Sequence, residues 1–140
     1  MLSDLLSDRR FVIKSKRGRL AEEIYLEIWR GGRLVAHAVL FLGRPPYYSP
    51  WAELFNIKVL NTDLERELYC LFGRYMEKGD LLYVEYVDDR QTYAELQRGT
   101  PPEETRLGRL LSQCGFRVLR DMYFPEGGLE GSVKLQAIKT

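Results

Sequence analysis

Long apolar runs are missing from this chain. None approaches the roughly 18 consecutive apolar residues that cross a bilayer, and residues 1–10 lack the pattern of a secretory leader. The expectation is a protein without membrane association, located in the cytoplasm. Histidine is reduced to His37, and cysteine to Cys70 and Cys114. Zinc wants more soft ligands than these, so no metal site is expected. Two cysteines also make no disulfide framework. Each falls on the apolar side of an expected helix, where free cysteine behaves as a small hydrophobe. A charge surplus is missing as well: 21 basic residues face 20 acidic ones, which gives no bulk attraction for nucleic acid. The basic run from Arg9 to Arg19, interleaved with Phe11 and Ile13, reads as a solvated strand and turn.

What remains is an ordinary globular composition, 45% hydrophobic and 29% charged over 140 residues. That length predicts one domain, residues 1–140. Residues 22–30 and 33–42 alternate between apolar and polar, and Gly31-Gly32 between them tolerates positive φ twice, which predicts a β-hairpin. Phe11 to Lys16 precedes it as a further antiparallel strand, and Ala52 to Leu60 follows as another. His37 shares its strand face with Val35, Val39 and Phe41, a pattern that fits a packed or half-exposed side chain. Between the hairpin and the next strand, residues 43–51 read as a proline-stiffened loop that caps the end of the core, and its Tyr47, Tyr48 and Trp51 also suit a pocket wall or a homodimer surface.

The spacing predicts a helix from Thr62, with Glu65 completing a capping box, an apolar stripe through Met76, and Gly79 as its stop. Leu81 to Val87 reads as a central strand covered on both faces. Strand, helix and strand in that order predict a parallel βαβ unit. Asp88 or Asp89 then caps a short helix closed by Gly99. A second main helix is expected from Thr100, with Pro101 at its first position, Glu103 in a capping box, and Gly115 at its end. Gly108 inside that helix marks the close approach of another backbone or a ligand. Strands over 116–124 and 132–139 finish an α+β fold with a mixed sheet.

This order, over roughly residues 10–139, resembles the GNAT (acyl-CoA N-acyltransferase) fold, and Leu110 to Phe116 is similar to that superfamily's helix-ending Gly-Phe stretch. Gly99-Thr100-Pro101-Pro102, Thr105-x-Leu107-Gly108, Gly115-Phe116 and Tyr123 to Gly127 together resemble an uncharacterised prokaryotic family of unknown function, DUF1122. The resemblance implies a mixed, mostly antiparallel GNAT-like sheet with a central βαβ unit and helices on both faces.

It also implies acyl-CoA as the first cofactor to test, bound by a glycine-rich loop before the central helix. Residues 61–66 supply no glycine there, and Asp63 and Glu65 set carboxylates at the positive helix end. Where the superfamily carries a general-acid tyrosine, this chain has Leu111. Glu53 lies on the strand where a catalytic Glu is frequent, and Tyr123 is the substitute acid. The cofactor therefore stays unknown.

Two clusters remain as site candidates. Glu85 interrupts the central strand, where a carboxylate must be paired, protonated or turned to a cavity. A cross-sheet partner such as Arg120 or Lys134 is the alternative to a catalytic role. Asp88 follows at the strand's carboxyl end, the usual ligand side of parallel strands. Glu126 and Gly127 lie in a loop whose glycines allow close approach, and whose acids favour an amine over a phosphate. Glu85 and Tyr123 are thus the candidate catalytic pair, with Asp88, Tyr93, Thr105, Glu126 and Gly127 as substrate-binding candidates. Two functions stay open: a divergent transferase acting on a small amine or similar metabolite, and a non-catalytic metabolite-binding or protein-interaction module that has lost the acyl-CoA site.

Overall fold

Gly31 and Gly32, at φ +58° and +74°, turn the chain back on itself as their sequence requires. They join β2 (Glu23–Arg30) to β3 (Arg33–Phe41) in an antiparallel hairpin. The computed structural model describes residues 2–7, 10–18, 23–41, 52–56, 62–119 and 131–140. Before the hairpin come α1 (Leu2–Ser7), which the sequence does not signal, and β1 (Val12–Arg17). After it the order is β4 (Ala52–Asn56), α2 (Thr62–Tyr75), β5 (Leu81–Tyr86), α3 (Arg90–Gln97), a 3-10 turn (Pro102–Glu104), α4 (Arg106–Gln113), β6 (Phe116–Leu119) and β7 (Val133–Lys139). The predicted extensions over 57–60 and 120–124, and the aromatic loop with Tyr47, Tyr48 and Trp51, lie outside the described residues.

The strands form one seven-stranded sheet in the order β1-β2-β3-β4-β5-β7-β6. Every neighbouring pair is antiparallel except β4 and β5. That parallel pair flanks α2, so the βαβ expectation holds. The fold is α+β. Alternation sorts the strand residues: Ile24, Leu26 and Ile28 of β2 and Leu82, Val84 and Tyr86 of β5 are buried. They face Leu68, Tyr69, Leu71 and Phe72 of α2, which recur at helical spacing. Among the described residues the helices form one connected layer, α1 on α2, α2 on α4, and α4 on α3. The other face of β5 carries Leu81, Tyr83 and Glu85, all half-buried. The expected cover on both faces of this strand is therefore corrected among the described residues.

Helix ends depart from expectation in an informative way. α2 stops at Tyr75, and Gly79 (φ +95°) lies beyond it, in a turn whose N–H reaches Lys139 O at 2.9 Å. α4 begins at Arg106, not Thr100, because Pro101 and Pro102 favour a tight 3-10 turn first. Gly108 has the role its position predicts: a Cβ there would lie 2.0 Å from the Pro102 carbonyl oxygen. The cysteine expectation is overturned. Cys70 of α2 and Cys114 after α4 form a disulfide, with Cα atoms 4.5 Å apart. Both apolar stripes point into the same helix–helix seam, which brings the thiols together.

Candidate functional site

The carboxyl end of β5 holds the densest polar chemistry in the described chain. Tyr86 ends the strand on its buried face, and Asp89 caps α3 by accepting a hydrogen bond from Thr92 N at 3.1 Å. From α2, Glu65 and Tyr69 project toward the same point. Arg106, the first residue of α4, enters between them. Its Nη1 donates to Glu65 Oε2 at 2.7 Å, while Nη2 and Nε donate to the two oxygens of Asp89 at 2.5 and 3.3 Å. The fork suits this double duty because guanidinium offers five donors in a fixed plane.

Glu65 is fully buried and Asp89 is 1% exposed, against 15% for the Arg106 side chain. The Tyr86 hydroxyl donates to Glu65 Oε2 at 3.0 Å and also bonds the Tyr69 hydroxyl. Among the described residues, Glu65 Oε1 has no hydrogen-bond partner. Burial pushes the Glu65 carboxyl above its usual range, and the bonds from Arg106 and Tyr86 oppose that push. Burial also drives both phenols upward, so neither ionises near neutrality. For Arg106 burial works against the charge, but Asp89 and Glu65 outweigh it and the net shift is upward.

The positive end of α4 is spent on this same structure. Arg106 N donates to Glu95 Oε1 at 3.0 Å, Leu107 N to Thr92 Oγ1 at 3.3 Å, and Gly108 N to Thr105 Oγ1 at 3.1 Å. Three side-chain acceptors thus fill the N–H groups that could otherwise cradle an anion. Thr105, a candidate substrate ligand, is fully buried as the α4 cap, and its hydroxyl donates to Pro102 O at 2.7 Å. Glu65, expected in a capping box, turns to Arg106 and Tyr86.

The other sequence candidates spread apart. Asp88 is exposed and accepts from Arg90 Nε at 3.4 Å. It lies beside Gly131, whose carbonyl accepts from Asp89 N at 2.7 Å. The far end of the glycine-rich loop is thereby pinned to the end of β5. Tyr93 packs half-buried against the core. Glu85 is on the opposite sheet face, in register with Phe55 of β4 and Lys134 of β7. Lys134 is thus the cross-sheet neighbour anticipated as an alternative to catalysis. Tyr123, Glu126 and Gly127 lie outside the described residues. Sequence reasoning missed Glu65, Tyr69, Tyr86, Asp89 and Arg106 as a group. One signal was present: a tyrosine at a buried strand position needs a partner for its hydroxyl.

Among the described residues, no group of His, Cys, Asp and Glu could hold a metal ion, and no helix is long and apolar enough to cross a membrane. No curated protein matches the chain. Among solved structures, it is similar to the crystal structure of a protein of unknown function from Aquifex aeolicus VF5. The two are 32% identical with a TM-score of 0.67, over 92% of this chain and 70% of that one. The family described as "Protein of unknown function (DUF1122)" matches residues 7–140, and the chain belongs to it.

Proposed function

We propose that this protein is a GNAT-like metabolite-binding module that takes a small amine near the carboxyl end of β5 and does not dock acyl-CoA at its helix ends. One observation carries the reading. Glu65, Asp89 and Glu95 converge on the start of α4, where Arg106 and the first N–H groups of the helix are already consumed. A diphosphate brought there meets buried carboxylates and filled donors, whereas an ammonium group is matched beside this joint by the exposed carboxylate of Asp88. Asp88 lies beside Gly131 at the end of the strand, within reach of such a ligand.

Thermal unfolding with coenzyme A, acetyl-CoA and a diamine such as putrescine tests it. A ligand at a hundred times its Kd stabilises by about 2.7 kcal/mol, a shift of several degrees. Putrescine is expected to raise the midpoint, and coenzyme A and acetyl-CoA to leave it unchanged. Stabilisation by acetyl-CoA, or none by putrescine, overturns the reading.

A second reading, a divergent transferase with acyl-CoA as donor, draws support from the strand order and from the single parallel pair around α2. In that reading Glu85 takes the proton of the amine and Tyr123 supplies one to the leaving thiolate. Acyl transfer that Glu85→Gln abolishes, with the fold intact, would favour it.

A further inference from the structure

The sheet face opposite the helices carries a second polar assembly, unrelated to the Arg106 network. Strand register lays it out in two rows. One runs Lys14, Glu27, His37 and Phe55 across β1 to β4, and the other runs Lys16, Tyr25, Val39 and Glu53. Between these rows lies a groove of about 410 Å³, within the usual size of small-molecule sites. With strands about 4.8 Å apart, three spacings separate β1 from β4, roughly 14 Å. That width accepts one ring and leaves length for a charged substituent.

The chemistry of the walls is directional. Lys14 and Lys16 line the edge-strand side, where both are exposed. Lys14 Nζ also lies 4.4 Å from the Trp29 ring centroid, which holds that cation at the rim. Phe55 stands on the far side, and Tyr25 and Val39 provide flat apolar surface between. Tyr25 is 46% exposed, much for so large a ring, although its hydroxyl donates to Glu23 at 2.8 Å. Glu27 and His37 are directly opposite each other across β2 and β3. Among the described residues, Lys16, Glu27 and His37 have neither a hydrogen-bond nor an ion-pair partner. In the other assembly each guanidinium nitrogen of Arg106 is engaged; here Lys16, Glu27 and His37 line a groove.

We infer that this groove binds a flat organic monoanion: a single ring bearing a carboxylate and one hydroxyl or amino substituent. Among the groove's lining residues, two lysines against one glutamate favour the carboxylate at the β1 side. The ring lies on Val39 between Tyr25 and Phe55, in the offset or edge contacts that aromatic surfaces prefer. Glu27 accepts a hydrogen bond from the substituent, and His37 offers a ring nitrogen to it. The assignment is independent of the amine reading, because the two assemblies occupy opposite faces of the sheet.

Calorimetric titration of the full chain with 4-hydroxybenzoate tests it, with 4-hydroxybenzamide as the uncharged isostere. Saturable binding of the acid is expected, at least tenfold tighter than that of the amide. The double variant Lys14→Gln/Lys16→Gln, exposed and outside the core, should weaken the acid at least tenfold and leave the urea midpoint in place. A second variant, Glu27→Gln, should weaken 4-hydroxybenzoate more than unsubstituted benzoate. Absence of saturable binding, equal affinity for acid and amide, or undiminished affinity in the lysine variant each overturns the inference.

Discussion

The two faces of the sheet treat charge in opposite ways. On the helix side, Arg106 is held by Glu65 and Asp89, and the neighbouring N–H groups are filled by Glu95, Thr92 and Thr105. On the open side, Lys16, Glu27 and His37 have no such partners among the described residues. The contrast teaches that a dense polar cluster is not by itself a ligand site. Where burial is deep, the cost of leaving a charge unpaired forces mutual satisfaction, and the cluster becomes a joint between elements. Where strands face solvent, side chains keep their capacity for something else.

Substitutions measure that contrast. Arg106→Ala leaves two buried carboxylates without their cation and should lower unfolding stability by about 3–5 kcal/mol, read from urea denaturation. If it costs no more than an exposed lysine, the network is not a joint. Replacing Cys70 and Cys114 together with serine opens a loop of 44 residues. The chain-entropy account gives about 4 kcal/mol for that loop length, with smaller losses common, and a lower melting midpoint should match that of the reduced native protein. Gly108→Ala drives a methyl group into the Pro102 carbonyl and should cost about 1–3 kcal/mol through overpacking.

A pH series probes Glu65. Its carboxyl is held above the ordinary range, so its contribution is full below the unfolded carboxyl value. That contribution is lost as pH rises through the folded one. Urea midpoints should therefore contain a component that falls with rising pH just above the normal carboxylate range, and Glu65→Gln should flatten it. The smallest effect is expected on the open face: Lys14→Gln/Lys16→Gln should shift stability by less than about 0.5 kcal/mol, because both side chains are exposed.

Local rules read much of this fold correctly. The Gly31-Gly32 hairpin, the parallel β4–α2–β5 unit, an aspartate cap for α3 (Asp88 or Asp89 on local grounds, Asp89 in the fold) and the close approach at Gly108 all follow from residues within a few positions of one another. The misreadings share a cause. Glu65 fits a capping box on local grounds, yet Arg106, 41 positions away, draws its carboxylate inward. Thr100 and Pro101 look like a helix start, yet the chain waits for Thr105, whose hydroxyl can reach both Pro102 O and Gly108 N. Cys70 and Cys114 each read as small hydrophobes because nothing near either one indicates the other. Long-range pairing of charge and sulfur leaves no periodic trace, so the polar joint was illegible where the apolar stripes were plain. Glu85 was a half-legible case: its place in a central strand was readable, but the sheet face it occupies depends on register with Phe55 and Lys134.

The sulfur bridge also sets how this protein responds to a protease. It closes a ring that contains β5, α3 and α4 entire and begins within α2. A single nick anywhere from 71 to 113 yields two pieces that migrate as one until a reductant is added. Fragments from cuts outside that interval separate at once, so paired reduced and non-reduced gels locate any cleavage relative to the ring without sequencing.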